Sequence, residues 1–315
     1  MTREPDNEAA VLNCIGKTPL VELRSMVPAA SARILLKIES QNPSGSMKDR
    51  MALAMIEGAE RDGRLKPGQS VVEYTGGSTG VSLALVCAAK KHPLHIVSSD
   101  AFSKQKLDHM RALGAELTIV KSANGGMDAT LTRGMIEEAR KIAERTGAFW
   151  TDQFKNRDQA SGYFAMADEI LDQTGGKIDA FVQSVGTSGS IRGNSQRLRE
   201  RKAGIRIVAV EPSESPVLSG GATGTHKIEG IGAGFVPPMW DRSLVDQIET
   251  VSTEEAKQMA RTLAKQEAIM AGTSTGCNLV AALRVAEKLR RGATVVTVMC
   301  DSGTKYLSTD LYGSN

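Results

Sequence analysis

Short runs of Val, Ile and Leu alternate with stretches of helical period along almost the whole chain. Arg33–Glu39, Ser70–Tyr74, His95–Ser98 and Leu117–Val120 predict strands, separated by predicted helices at Asp49–Asp62, Thr79–Lys91 and Ser103–Leu113. Helices follow at Asp128–Thr146, Asp158–Gln173 and Gly189–Lys202, with strands at Asp179–Ser184 and Arg206–Glu211. Helices at Thr253–Ala268 and Gly276–Arg291 and a strand at Thr294–Cys300 complete the pattern. Strands that are apolar throughout are buried on both faces, and intervening helices supply the crossovers of a parallel sheet. The chain is therefore expected to be α/β. Its 315 residues amount to roughly two domains, enough to bury a core without disulfide or metal staples.

Two segments break the rhythm. Gly125-Gly126 lies in a small polar stretch and predicts a simple connection. Pro212 to Ser243 is longer, rich in Gly and Pro, and without a clear period. Loops beyond about 12–15 residues are usually functional or disordered. This one contains KIEGIGAGFVP, apolar enough to pack, so it reads as an ordered functional loop.

The excess of basic over acidic residues, 39 − 36 = +3, is too slight to argue for nucleic acid, and 4% aromatic residues leave little for base stacking. The opening residues hold no apolar run resembling a signal peptide, and no run of about 18 apolar residues follows. A cytoplasmic protein without membrane contact is expected. Cys14, Cys87, Cys277 and Cys300 are too scattered for a CxxC site and read as reduced core thiols. The four histidines form no ligand spacing, so no metal is expected.

Two tempting motifs fail. Gly16-Lys17-Thr18 resembles the end of a P-loop, but Val11 stands where the first glycine is needed. Gly230–Gly234 lies inside the long loop, away from any strand-to-helix junction, and lacks the last glycine of a dinucleotide fingerprint.

Three Gly- and hydroxyl-rich turns remain: Thr75–Gly80, Gly186–Ser190 and Gly272–Gly276. The first two follow strands and open helices, where free backbone N–H groups and the helix dipole favour an anion. One such turn is an ordinary cap; three suggest a ligand with more than one anionic group. Lys48 opens a helix, where a cation is disfavoured by the dipole. It reads either as a solvated first-turn lysine or as one of depressed pKa able to form a Schiff base. The second choice, with a phosphate cradle, outlines a pyridoxal phosphate site.

NPSGSMKDR, SVGTSGSIRG, EPSESPVLSGG, HKIEGIGAGFVP and DSGTKYLST together resemble the cysteine synthase and cystathionine β-synthase family, as does IGKTPLVEL near the start. The resemblance runs from about residue 15 to 312. It implies the two-domain pyridoxal phosphate fold type II (tryptophan synthase β-like), each domain a mostly parallel sheet covered by helices. The smaller domain would span 40–148 and the larger 1–39 and 149–315. By resemblance, Lys48 would be the Schiff-base lysine and the base for the substrate α-proton. Gly186, Thr187, Ser188, Gly189 and Ser190 would hold the cofactor phosphate, and Ser274 would face the pyridine nitrogen, leaving it largely unprotonated. Thr75, Gly76, Gly77, Ser78 and Thr79 would receive the substrate α-carboxylate, with Gln153 on the same group and Ser78 also touching the cofactor. Gly230 would belong to the loop at the entrance.

The chain departs from its family at the substrate loop. The usual Thr-Ser-Gly-Asn-Thr-Gly is Thr75-Gly76-Gly77-Ser78-Thr79-Gly80 here, and Tyr74 stands where proline is common. Lost side chains predict a more mobile loop with vacated space for a bulkier substrate. The implied activity is β-replacement on an O-activated serine, chiefly O-acetylserine plus sulfide giving cysteine. Alternatives are another nucleophile, such as homocysteine or an amine (as in a diaminopropionate-type synthase), or a pyridoxal phosphate-binding regulatory partner of serine acetyltransferase. A small amino-acid substrate and a homodimer are implied as well.

Overall fold

The computed structural model describes residues 9–122 and 129–313; the expected connection at Gly125-Gly126 lies outside them. In chain order the elements are β1 (Leu20–Leu23), β2 (Arg33–Ile38), α1 (Lys48–Arg61), β3 (Val71–Tyr74), α2 (Ser78–Lys90), β4 (Leu94–Ser99), α3 (Lys104–Ala112), β5 (Glu116–Val120) and α4 (Ala129–Thr146). Then come β6 (Phe149–Trp150), α5 (Asp158–Ser161), α6 (Phe164–Thr174), β7 (Ala180–Ser184), α7 (Gly189–Arg201), β8 (Arg206–Pro212), β9 (Gln247–Val251), α8 (Thr253–Glu267), α9 (Thr273–Lys288) and β10 (Thr294–Met299).

Two sheets result. One has the order β1-β2-β10-β7-β8-β9 and the other β5-β4-β3-β6. All pairings are parallel except β1 with β2. The apolar runs explain this: every residue of β3, β7 and β10 is buried, as a strand covered by helices on both faces requires. Edge strand β5 stays partly open and begins with exposed Glu116, a charge that discourages further pairing.

Three strands had no sequence signal. β1 is half-exposed, β6 has two residues, and β9 follows the irregular segment. The helix expected over Asp158–Gln173 is two helices, interrupted at Gly162-Tyr163, where glycine weakens helical continuity. Cys87, Cys277 and Cys300 are buried thiols as expected, but Cys14 is exposed.

The strand order places the chemistry. β10 lies between β2 and β7 and runs parallel to both. The segments leaving the carboxyl ends of these strands therefore emerge side by side, the position where α/β sheets bind ligands. They are the turn into Lys48, the turn Gly186–Ser188 and the pair Cys300-Asp301. The carboxyl end of β3 brings Thr75–Gly77 to the same place from the other sheet.

Candidate active site

Lys48, Thr75–Thr79, Gln153, Gly186–Ser188, Ser190, Gly230 and Ser274 line a single cavity of about 430 Å³. Residues separated by more than 200 positions thus meet in one place. Gly189 is the exception among the expected site residues. It is buried and packs beneath the turn, where an added Cβ would lie 2.2 Å from Gln159 Oε1.

The turn before Lys48 is stitched to the end of β10. The Met47 N–H donates to the Cys300 carbonyl at 2.9 Å, and Ser46 Oγ donates to the same oxygen at 3.2 Å. Ser46 Oγ also accepts from the Lys48 N–H at 3.2 Å. Burial pushes the Lys48 pKa down and Lys106 adds to this, while Cys300 and Asp301 oppose it. A lysine whose pKa is shifted downward becomes a better nucleophile and base, a shift that the solvated first-turn reading would not give.

Two residues on, Arg50 fixes the helix. Its guanidinium donates to Glu39 at 2.7 and 2.8 Å and to Glu169 at 2.8 and 2.9 Å. Buried Lys37 approaches the same Glu169 at 2.7 Å. Removing one member of such a buried network leaves an uncompensated charge, a loss of about 3–5 kcal/mol. The Asp49 carboxyl between them is buried and accepts from the Ser44 N–H at 2.8 Å; desolvation raises its pKa.

The turn after β7 leaves donors free. Ser188, at φ 74°, precedes α7, and no side chain caps that helix. The hydroxyls of Ser184 and Ser188 are buried and without partners. By contrast, Thr187 Oγ1 donates to Gln159 at 2.6 Å, and Ser190 pairs with Gln183. A Cβ on Gly186 would come 2.5 Å from the Gly230 carbonyl oxygen, so only glycine lets the entrance loop approach. Ser274 stands in the first turn of α9, near Cys300, whose thiol pKa burial pushes up to about 11.

The Thr75–Thr79 loop overturns the expectation of vacated space. A Cβ on Gly76 would lie 2.6 Å from the Phe102 ring, and one on Gly77 would lie 2.5 Å from Lys106 Cδ. Side chains from and just before α3 fill the room that the glycines leave. The loop is also tethered: Thr75 N–H donates to Val97 O at 3.0 Å, and Ser78 Oγ donates to Asp301 Oδ2 at 2.9 Å. Tyr306 Oη donates to the same Asp301 oxygen at 2.9 Å.

Behind the loop, Gln153 Nε2 donates to the Tyr74 carbonyl at 2.7 Å. Fully buried Glu73 accepts from the Gln153 N–H at 2.9 Å, the Tyr74 N–H at 2.9 Å and Thr151 Oγ1 at 2.5 Å. Desolvation nonetheless raises its pKa to about 8. Sequence reasoning assigned no role to Glu73, Phe102, Lys106, Asp301 or Tyr306. Asp301 and Tyr306 do lie within the DSGTKYLST motif, which was the available signal.

Residues 11–301 match the family model described as pyridoxal-phosphate dependent enzyme. The chain belongs to that family. A cysteine synthase of Staphylococcus aureus (strain N315) is 42% identical over 304 residues, covering 96% of each chain. The solved cysteine synthase of Entamoeba histolytica superposes with a TM-score of 0.90 at 38% identity, covering 100% of this chain and 94% of that one. An O-ureido-L-serine synthase structure does so with a TM-score of 0.90 at 37% identity, over 97% and 96% of the two chains.

The family's cofactor, pyridoxal 5'-phosphate, fits the cavity. An uncapped helix start with the unpartnered Ser188 hydroxyl suits a phosphate. In the same cavity, a half-buried lysine of lowered pKa suits the aldehyde. The chain is thus a pyridoxal-phosphate dependent enzyme, and no described helix is long and apolar enough to cross a membrane.

Proposed function

We propose that the chain catalyses β-replacement on an O-activated serine, with O-acetylserine and sulfide as the reacting pair and cysteine as the product. The observation that carries this reading is the meeting of Lys48, the free donors at Ser184 and Ser188, and the Thr75–Thr79 loop in one cavity. When bound, the cofactor supplies an electron sink that stabilises charge at the substrate α-carbon.

Lys48 would hold the cofactor through its amine and then serve as the base that takes the α-proton. Gly186, Thr187, Ser188, Gly189 and Ser190 would hold the phosphate, mainly through backbone N–H groups and the Ser188 hydroxyl, since Thr187 and Ser190 have protein partners. Ser274 would face the pyridine nitrogen. Thr75–Thr79 would receive the α-carboxylate at the start of α2, with Gln153 beside them. Gly230 would close the entrance over Gly186.

A smaller domain spanning 40–148 belongs to the same reading, supported by the four-stranded sheet β5-β4-β3-β6, whose strands fall between Val71 and Trp150. Residence in the cytoplasm, a homodimer and docking to serine acetyltransferase belong to the same reading. Purified holoenzyme given O-acetylserine, O-phosphoserine or serine, each with sulfide, tests it. Cysteine formation fastest from O-acetylserine supports the proposal; no turnover of any of the three would sink it.

A further inference from the structure

Lys106 lines the cavity from α3, and only 2% of its side chain is exposed. Its Nζ lies 2.5 Å from Glu229 Oε2, donates to Tyr306 Oη at 3.1 Å and sits 4.2 Å from the Tyr306 ring centroid. An ammonium carries three donors, and these contacts occupy two. The same side chain runs along the substrate loop, where a Cβ on Gly77 would lie 2.5 Å from Lys106 Cδ and 3.5 Å from Nζ. Glycine at this position therefore allows a buried cation to rest against the middle of the loop. Desolvating that cation is costly, and Glu229 and the aromatic face offset the loss. A second negative charge delivered to the loop would meet both this ammonium and the start of α2.

We propose that Lys106 is a specificity-determining residue that receives the α-carboxylate of the amino-acid substrate. It supplies from α3 a polar contact that Gly76 and Gly77 lack. This rests on the reading of Thr75–Thr79 given under Proposed function. Glu229, from the segment lining the entrance, holds the ammonium in the free enzyme and competes with the arriving carboxylate. Substrate binding thereby loosens the tie between α3 and the entrance segment.

The test compares L-serine with L-serinamide, which lacks the carboxylate charge, binding to holoenzyme and followed by the visible spectrum. Lys106→Met is expected to weaken L-serine binding roughly tenfold to a hundredfold, the range of a charge-assisted hydrogen bond, and to leave L-serinamide nearly unchanged. KM for O-acetylserine should rise correspondingly with little change in kcat. Lys106→Arg, which keeps the charge, should restore most of the affinity. Glu229→Gln leaves Lys106 in place, removes its competitor and should tighten L-serine binding about threefold. Equal weakening of both ligands by Lys106→Met, or weaker L-serine binding in Glu229→Gln, would overturn the proposal. Absence of turnover with every O-activated serine would count against the proposed function alone, because the serine and serinamide comparison needs none.

Discussion

The turns after β7 and after β3 look alike in sequence, each a Gly- and hydroxyl-rich link from a buried strand to a helix, yet they are built differently. At Gly186 the added Cβ is excluded by backbone, the Gly230 carbonyl oxygen. At Gly76 and Gly77 it is excluded by the side chains of Phe102 and Lys106. The first turn leaves the Ser188 hydroxyl free, while the second commits Ser78 to Asp301. Backbone exclusion fixes a shape that neighbouring substitutions cannot readily change, as would suit the cofactor-holding role proposed for this turn. Exclusion by side chains can be altered one residue at a time, as would suit the substrate-binding role proposed for this loop.

The largest expected effect is at the rigid turn. Gly186→Ala forces a Cβ against backbone, and overpacking of about 1–3 kcal/mol should weaken cofactor binding roughly tenfold to a hundredfold. Equilibrium dialysis against pyridoxal 5'-phosphate measures it; unchanged affinity would remove the distinction between the turns. Gly76→Ser should lower kcat/KM for O-acetylserine about tenfold by displacing Phe102, and Phe102→Leu in the same chain should recover most of it. If Gly76→Ser is as active as the parent, the ring does not constrain the loop.

A smaller effect is expected from Ser78→Ala. It removes one hydrogen bond to Asp301, about 0.5–1.5 kcal/mol, and should raise KM a few-fold with cofactor affinity unaltered. A change in cofactor affinity instead would place Ser78 with the first turn. Glu73, behind the loop, gives a pH signature. Its folded pKa of about 8 lies above the ordinary carboxylate value of 4.5, so the stability it contributes is fully present below about pH 4.5 and is lost as pH rises toward 8. Urea unfolding across that range should show a steeper decline in wild type than in Glu73→Gln. Parallel curves would mean that Glu73 does not titrate there.

The same contrast explains what the sequence revealed. Strands β2, β3, β4, β5, β7, β8 and β10 were legible because runs such as ILLKI and TVVTVM leave no polar face. β1, β6 and β9 were not, being short or bordered by irregular chain. Lys48 and the turn Gly186–Ser190 stand out in the sequence because each follows or opens a regular element in a local pattern, whereas Ser274 was singled out by the resemblance; all of them line the cavity except Gly189. Phe102, Lys106 and Asp301 act on the substrate loop from other elements, and tertiary packing alone brings them there. The error about vacated space had that cause: a local pattern shows which side chains are missing, but not what fills the gap.

Borohydride reduction of the holoenzyme followed by peptide mapping tests the central assignment most directly. The pyridoxyl group is expected on Lys48, the lysine at the start of α1 whose pKa burial pushes down. A pyridoxyl group on Lys106, Lys227 or Lys257, the other lysines lining the cavity, would contradict the account.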